Sequence, residues 1–384
     1  MATDKVRFGV IGVGGMGSGH CVQLPKLPET ELTAVCDTNA ATLDAVSTKH
    51  EVPGFACSTD LLDSGLVDAV IIATPHYFHS PIAVEAFARG LHVMSEKPLG
   101  VTVGAADAMI AAAKASGKKF GIMYQMRGEG QNRAARAVIE SGRIGEIYRT
   151  SLVMGWYRSQ AYYDSGGWRA TWAGEGGGVL INQAPHYLDL FTWLGGLPQK
   201  VTGKTRTRLH DIEVEDEAFA TLEYANGAHG YLYASTTEVP NHNMLEICGD
   251  RGKLILHGSS LKVFELGSSI GSFTRETSEM WASPKAEEFP VEIEPEGDIK
   301  GHGLIAQNFA RAILYDEPLL APGEEGLNAV ELINALILSS KTGKPTTLPV
   351  NRADYDRLIE DLKASSRTKA NIREQRVTDP AVGR

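Results

Sequence analysis

Lys97 is a residue with the chemistry and the position for proton transfer. It lies in the sequence Glu96-Lys97-Pro98, directly after the short strand-like run His92–Ser95. A lysine held at a strand end can donate a proton, accept one, or stabilise a negative charge. Surface lysines before prolines are common, so the role of Lys97 depends on what the rest of the chain brings to it.

A histidine in the second half of the chain is a candidate partner for that lysine. His186 lies in the run 179–189, which we predict to be one helix that follows Gly176-Gly177-Gly178. Asn182 lies four residues before it and Asp189 three residues after it, so the three side chains share one helix face. A single histidine is usually structural, but one flanked by an amide and a carboxylate is a good acid–base candidate.

The start of the chain carries a glycine pattern typical of dinucleotide-binding proteins. Val6–Ile11 is an apolar run that suits a buried parallel strand, and G-x-G-x-x-G follows it at 12–17 and leads into a helix. Gly12 permits a tight turn, Gly14 lets backbone amides approach a pyrophosphate, and Gly17 lets the helix pack on the strand. The helix N-terminus then faces the anion. The same pattern also occurs as a purely structural turn.

Asp37 is a candidate for binding the adenosine ribose. It follows the strand-like run 32–36 and lies twenty residues after Gly17. A carboxylate at this position accepts from both ribose hydroxyls and repels a 2′-phosphate. Thr38-Asn39-Ala40 follow without an arginine, so the sequence favours NAD over NADP. Asp37 is also a candidate N-cap for the next helix, and the two roles are compatible.

Strands and helices alternate through the first third of the chain, which predicts a doubly wound parallel sheet of the Rossmann type. Such a sheet binds its ligand beyond the carboxyl ends of its strands. Five candidate sites lie at such ends: the glycine motif, Asp37, the element Thr74–His79, the loop that contains Glu96 and Lys97 (the lysine loop) and Gln125. The residues that we predict to contact the cofactor are Gly12, Gly14, Gly15, Met16, Gly17, Asp37, Thr74, Pro75, His76, His79, Glu96, Lys97 and Gln125.

From about residue 146 the pattern changes to longer strands separated by turns such as Asn226-Gly227. This predicts an α+β domain with a large, mostly antiparallel open sheet. We predict a Rossmann domain over residues 1–127, a substrate-binding domain over 128–350, and a C-terminal helix and tail over 351–384.

The segment 155–178 combines aromatic residues, arginines and glycines without aliphatic periodicity. Aromatic faces pack on the C–H faces of sugar rings and arginines donate to hydroxyls, which predicts a sugar pocket. The alternative is an aromatic cluster that holds a loop on the sheet. The predicted substrate contacts, with those of the helix face, are Tyr157, Arg158, Tyr163, Trp168, Arg169, Asn182 and Asp189.

The glycine motif, Thr74-Pro75-x-x-x-His79 and Glu96-Lys97-Pro98 together resemble the glucose–fructose oxidoreductase/inositol dehydrogenase (Gfo/Idh/MocA) family. The resemblance implies that Lys97 lies beside the nicotinamide and the reacting hydroxyl, and that its bond to proline is often cis. It also implies a homodimer or homotetramer formed through the open sheet of the second domain.

The family pattern Asp-x-x-x-His-x-x-Asp begins with Asn182 in this chain, as in a sugar-oxidising branch with Asn-Gln-x-x-His. An amide cannot relay a proton as a carboxylate does, so we expect Asn182 to orient the substrate or His186. This leaves His186 as the expected base, assisted by Lys97.

Composition excludes several other classes of protein. The net charge of −10 repels nucleic acid, and no uninterrupted apolar run of membrane length occurs. The four cysteines show no metal-ligand spacing, and neither do His76, His79, His186 and the acidic residues around them, so we expect no metal. The chain also shows no secretory signal pattern, which leads us to expect a cytoplasmic protein.

These features predict an enzyme that uses NAD to oxidise a secondary hydroxyl of a cyclic polyol, such as a sugar, anhydrosugar, glycoside or inositol. Hydride transfer to a nicotinamide needs no metal. One alternative is a redox-neutral glycoside-modifying enzyme that recycles tightly bound NAD through a 3-keto sugar. Another is a dinucleotide-binding sensor without catalytic activity.

Overall fold

Short runs rich in β-branched residues form the first sheet. The computed structural model describes residues 5–295, 297–369 and 372. The strands of this sheet are β1 (Val6–Ile11), β2 (Thr30–Cys36), β3 (Gly54–Phe55), β4 (Ala69–Ile72), β5 (His92–Ser95) and β6 (Phe120–Ile122). They pair in the order β3-β2-β1-β4-β5-β6, and every pair is parallel. This is the predicted Rossmann-type sheet.

Helices connect these parallel strands and cover the sheet. They are α1 (Gly15–Gln23), α2 (Ala40–His50), α3 (Ser58–Asp63), α4 (His79–Ala88) and α5 (Val103–Ser116). The Thr102 side chain accepts from the Ala105 amide at the start of α5, and Gly117 ends that helix with φ of +65°. Local capping chemistry therefore sets both ends of α5.

The second sheet has nine strands in the described part of the chain. They are β7 (Ile147–Tyr157), β8 (Lys200–Arg206), β9 (Glu217–Glu223), β10 (His229–Ser235), β11 (Thr237–Gly249), β12 (Gly252–His257), β13 (Ser260–Leu266), β14 (Ala286–Phe289) and β15 (Thr346–Thr347). Their order is β14-β13-β12-β11-β7-β10-β9-β8-β15. Among these neighbours only β7 and β10 run parallel, so the predicted mostly antiparallel sheet and the α/β fold class are confirmed.

Eight further α-helices follow α5 in the described residues. They are α6 (Gly130–Glu140), α7 (Gln160–Tyr163), α8 (Val179–Asn182), α9 (Pro185–Gly195), α10 (Ile270–Glu276), α11 (Gly301–Tyr315), α12 (Gly326–Thr342) and α13 (Arg352–Ala364). The prediction of one helix over 179–189 was wrong, because α8 stops at Asn182 and α9 begins anew at Pro185. A proline has no N–H to continue the helical bonds, but it suits the first turn of a new helix.

Helix α11 packs on the first sheet although it comes late in the sequence. Ile305, Phe309 and Ala310 join the core beneath β1, where the Phe309 and Phe8 ring centroids lie 6.3 Å apart. Residues assigned by sequence to the second domain thus complete the core of the first. Most of the predicted tail after α13 lies outside the described residues. No helix in the described ranges is long and apolar enough to cross a membrane.

Candidate active site

The glycine motif forms a tight turn from β1 into α1. Gly12 has φ of +85°, and a Cβ there would lie 2.8 Å from the backbone of Ala73 and Thr74. A Cβ on Gly17 would lie 1.8 Å from the Gly12 carbonyl oxygen, whereas one on Gly14 would meet open space. No side chain caps the start of α1, where Gly15 and Met16 lie. The turn therefore leaves free amides and room for a pyrophosphate.

Asp37 is held against this turn by two backbone amides. Its Oδ2 accepts from the Val13 amide at 2.9 Å and its Oδ1 from the Asn39 amide at 2.8 Å. Asn39, not Asp37, is the N-cap of α2, because its side chain accepts from the Thr42 amide. The helix-capping alternative for Asp37 was wrong, and its carboxylate remains available to a ribose.

The element from Thr74 to His79 is bound to neighbouring loops through its histidines. His79 bridges two backbone carbonyls, with Nε2 2.9 Å from the Thr74 oxygen and Nδ1 2.9 Å from the Pro98 oxygen. Burial lowers the pKa of His79, and a neutral imidazole can donate to only one of these carbonyls. His76 donates through Nδ1 to the Glu175 carbonyl at 2.9 Å. Both histidines are therefore engaged by protein groups.

Glu96 belongs to a buried charged cluster behind the lysine. Its Oε1 lies 2.8 Å from His20 Nε2 and 4.0 Å from His302 Nε2. Burial alone would raise the pKa of Glu96, but the His20 hydrogen bond and the charges of His20, His302 and Lys97 hold it at about 2. The cluster joins α1, the lysine loop and α11.

Lys97 connects the first domain to the second. Its Nζ donates to the Asn182 carbonyl at 2.7 Å, and the Lys97–Pro98 bond is cis. Burial lowers the pKa of Lys97, opposed by the negative charges of Glu96 and Glu175. The Asn182 side-chain amide in turn donates to Glu175 Oε1.

His186 faces the same region from the first turn of α9. Its Nδ1 is buried without a partner in the described structure, and its Nε2 lies 3.5 Å from Gln125 Nε2. Burial and the charge of Lys97 lower the pKa of His186 to about 3. The imidazole is neutral, with one ring nitrogen available to a ligand.

Unlike His186, Asp189 is not available to a ligand, because it is buried and Arg127 binds both of its oxygens. Its two oxygens accept from Arg127 Nε and NH2 at 2.8 and 2.6 Å, and both side chains are almost fully buried. Arg127 also pairs with Glu325 and stacks near Trp193, 5.1 Å from its centroid. The ion pair fixes α9, and with it His186, relative to the end of the first sheet. We therefore reassign Asp189 from a substrate contact to a structural residue that holds α9 in place.

The segment 155–178 divides into a packed part and an open part. Tyr163 is buried with its hydroxyl 2.7 Å from Thr236 Oγ1, and Trp172 is buried with Nε1 donating to the Glu213 carbonyl. The alternative of a structural aromatic cluster therefore describes these two side chains better.

The other predicted substrate residues of this segment remain partly accessible. Arg169 stacks on Tyr162 and Trp168, with centroid distances of 4.4 and 4.6 Å. Arg158 lies 5.2 Å from the centroids of Trp156 and Tyr162, and Tyr157 is 44% exposed. The Trp168 ring also contacts the His76 ring edge-on, with the ring centroids 6.0 Å apart, which links the segment 155–178 to the first domain.

Sequence reasoning missed several charged residues of this region. Glu175 is 1% exposed and lies beside Asn182 and Arg169. Its position directly before three glycines was the only local signal, because its partners come from other segments. His20, His302 and Arg127 gave no pattern at all.

The residues present fit a bound dinucleotide. Thr74 Oγ1, Gln125 Oε1 and His186 Nδ1 are buried polar atoms without a partner in the described structure, and all three lie at or near the ends of elements that meet at the lysine loop. Buried polar groups normally have partners, so such atoms mark a place for a ligand. Among the described residues, no group of three or more His, Cys, Asp or Glu is arranged to hold a metal ion.

Comparison with known families agrees with this geometry. Residues 6–124 match the oxidoreductase family with an NAD-binding Rossmann fold, and residues 132–255 match the GFO/IDH/MocA C-terminal domain. The chain belongs to the GFO/IDH/MocA family. The predicted family and the predicted NAD cofactor are thereby confirmed.

Solved structures of this family cover nearly the whole chain. A dehydrogenase from Bordetella pertussis, crystallised with NADH and UDP-GlcNAcA, is 29% identical with a TM-score of 0.76, covering 90% of this chain and 100% of its own. A levoglucosan dehydrogenase crystallised with NADH is 20% identical with a TM-score of 0.75, covering 91% of this chain and 100% of its own. The latter likeness shows the fold alone.

Curated relatives by sequence carry glycosidase names. A glycosyl hydrolase family 109 protein from Shewanella baltica is 28% identical over an alignment of 248 residues that covers 58% of this chain and 54% of that protein. An α-N-acetylgalactosaminidase from Shewanella oneidensis is 26% identical over an alignment of the same length, with the same coverage of both chains. The chain spans about half the length of these relatives.

Proposed function

We propose that this protein is a dehydrogenase that uses NAD to oxidise a secondary hydroxyl of a cyclic polyol, such as a sugar, anhydrosugar, glycoside or inositol. The observation that carries the proposal is the meeting of Lys97, from the Rossmann domain, with Asn182 and the free Nδ1 of His186. A proton-transfer group and a neutral imidazole thus lie beside the position at which we expect the nicotinamide ring of NAD.

The glycine turn and Asp37 would hold the pyrophosphate and ribose of NAD, which when bound supplies the hydride acceptor. Lys97 is the stronger candidate for accepting the hydroxyl proton, because the pKa of His186 is only about 3. His186 then orients the hydroxyl through Nδ1. This reverses the roles that the sequence suggested and keeps the same pair of residues.

The open part of segment 155–178 supplies the proposed sugar subsite. Trp168 and Tyr157 offer aromatic faces, and Arg158 and Arg169 offer donors for hydroxyl oxygens. Asn182 supports Lys97 from the substrate side. The relative crystallised with UDP-GlcNAcA supports including nucleotide sugars among the substrates tested.

Two variants test the proposal on a panel of cyclic polyols, glycosides and nucleotide sugars with NAD, followed by NADH absorbance. Lys97→Ala and His186→Ala should each lose about 10²- to 10⁴-fold in turnover, since each removes a group that handles the proton or its oxygen. NADH binding, measured by fluorescence, should persist. Lys262→Ala and His229→Ala, both on exposed strand positions, are matched controls. Full activity in either site variant sinks the assignment.

The second candidate is a redox-neutral glycoside-modifying enzyme, favoured by the glycosidase names of the curated relatives. It would oxidise the sugar transiently and return the hydride within one turnover. Product formation from a glycoside without NADH accumulation would favour this candidate. Binding of NADH with no product from any substrate would instead favour the sensor.

We also infer self-association through the uncovered face of the second sheet. Tyr148, Phe219 and Tyr231 lie on its neighbouring strands β7, β9 and β10 and are 45%, 46% and 47% exposed. Large apolar side chains grouped on one surface often mark a protein interface. The inference favours a homodimer or homotetramer.

A further inference from the structure

Glu175 is a buried carboxylate with no place in the mechanism above. Asn182 Nδ2 donates to its Oε1, and Arg169 NH1 lies 3.5 Å from the same oxygen. The Ala170 amide donates to its Oε2 at 2.5 Å. Its two oxygens thus face an arginine, a backbone amide and Asn182, whose carbonyl accepts from Lys97 Nζ.

A carboxylate this deeply buried needs compensation for lost hydration. Burial raises the pKa of Glu175, while the charges of Arg169 and Lys97 and the bonds from Ala170 and Asn182 oppose that rise. The bond from Asn182 also links Glu175 to the proton-transfer lysine, because the Asn182 carbonyl accepts from Lys97 Nζ.

We propose that Glu175 is a positioning residue of the active site, whose negative charge holds the proton on Lys97 and whose oxygens fix Asn182 and Arg169. The proposal rests on the proposed function insofar as Lys97 transfers the substrate proton. Asn182 is neutral, so it cannot supply this charge itself. Glu175 supplies it from seven residues earlier.

The glycines after Glu175 make this arrangement possible. Gly176 and Gly177 have φ of +84° and +154°, a backbone that other residues rarely adopt. A Cβ on Gly176 would lie 2.3 Å from the Val101 side chain, and one on Gly178 1.9 Å from the Glu215 carbonyl oxygen. The turn therefore brings Glu175 back against the end of α8.

Among the described residues, Glu96 and Glu175 are the carboxylates whose charges chiefly oppose the burial that lowers the pKa of Lys97. The charged and titratable groups that face Lys97 or Glu175 are Glu96, Arg158, Arg169, His76, His79, His186, His302, Tyr163 and Lys369. Glu96 shares its charge with His20. Neutralising Glu175 therefore leaves Lys97 among cations, with one compensated carboxylate beside it.

The test measures protonation of Lys97 without any substrate. The full-length protein is labelled across a pH series with acetic anhydride in limiting amount, and the modification of Lys97 is quantified by peptide mass spectrometry. In Glu175→Gln the labelling midpoint should fall by about one pH unit, because removing a nearby negative charge favours the neutral amine. Glu175→Asp, which keeps the charge, should stay near the native midpoint.

Glu213→Gln is the matched control, because Glu213 accepts from the Trp172 amide and the Ser366 hydroxyl and does not contact Lys97 in the described part of the chain. An unchanged midpoint in folded Glu175→Gln would overturn the proposal and leave Glu175 a packing role. If that variant fails to fold, Arg169→Gln is compared with the double variant Arg169→Gln/Glu175→Gln, which removes the buried pair together. The double variant should have the lower midpoint, and equal midpoints overturn the proposal.

The pH dependence of activity provides a second test. If Lys97 must be neutral to accept the proton, the acidic limb of kcat/KM against pH should move down in Glu175→Gln by the same amount as the labelling midpoint. A labelling shift without polyol oxidation in the native protein would refute the proposed function and leave the charge relation between Glu175 and Lys97 intact.

Discussion

At the scale of single residues, two amide hydrogen bonds orient Asp37, the carboxylate that we expect to select the cofactor. Val13 and Asn39 each donate to a different oxygen of Asp37. Each carboxylate oxygen has a further lone pair, so both can still accept from ribose hydroxyls. The negative charge at this position opposes a 2′-phosphate.

Asp37→Ala should weaken NADH binding about 10- to 100-fold, which is the loss expected for hydrogen bonds to a charged group. NADPH binding should weaken less or improve, because the repulsion disappears with the charge. Fluorescence titration with both cofactors measures the two constants. Asp44→Ala, an exposed change on α2, is the control. An unchanged preference for NADH would show that other residues select the cofactor.

The predictable residues were those whose role depends on local backbone chemistry. Gly12 and Gly17 followed from the glycine pattern, because a turn of this shape excludes a Cβ at both positions. Asp189 was predicted as a substrate contact and Glu175 was missed, because their partners Arg127 and Asn182 are brought to them only by the tertiary fold. Spacing showed that Asn182 and His186 are close, but it did not show the break between them.

At the scale of elements, one buried carboxylate holds the start of α8. Glu215 Oε1 accepts from the Gly178 amide at 2.9 Å and from the Leu180 amide at 3.1 Å. Its Oε2 has no partner in the described structure. Burial raises the pKa of Glu215 to about 7. The short helix that carries Asn182 is thus anchored by a group that titrates near neutral pH.

Glu215 should make stability fall as pH rises from about 4.5 to about 7, by about 3 kcal/mol in total. The sign follows because the folded state keeps the proton in this window while the unfolded chain has lost it. Glu215→Gln removes the titration. Relative to the native chain, the variant should therefore gain about 3 kcal/mol of unfolding free energy between about pH 4.5 and about pH 8.

Urea unfolding at both pH values measures this gain. Glu246→Gln is the control with the opposite shift: burial raises the pKa of Glu246, but the bond and charge of Arg149 lower it overall. That variant should differ from the native chain by a nearly constant amount across the window. Equal pH dependence in Glu215→Gln and the native chain would contradict the assignment.

At the scale of the whole molecule, one face of the second sheet is covered by helices and the other presents aromatic side chains. Gly203 on β8 lies against Leu336 of α12, where a Cβ would come within 2.8 Å. On the opposite face, Phe219 of β9 pairs in register with Tyr233 of β10, and Tyr231 lies two residues away. The two faces therefore differ in what they can contact.

Tyr231→Asp should convert the proposed oligomer to monomers, because a buried interface does not tolerate an unpaired charge at its centre. Sedimentation velocity at several protein concentrations measures the change. Val84→Asp, at a partly exposed position on α4, places the same charge on the first domain and should leave the assembly intact. A native protein that sediments as a monomer at all concentrations would refute the inferred interface.

The position of α11 also has a consequence for synthesis. The N-terminal sheet emerges from the ribosome first, but part of its core cover, including Phe309 against Phe8, is encoded about three hundred residues later. Until α11 appears, that apolar face has no native partner, which is the situation in which nascent chains aggregate or recruit chaperones. The dinucleotide-binding domain therefore completes its core only after α11 has been synthesised.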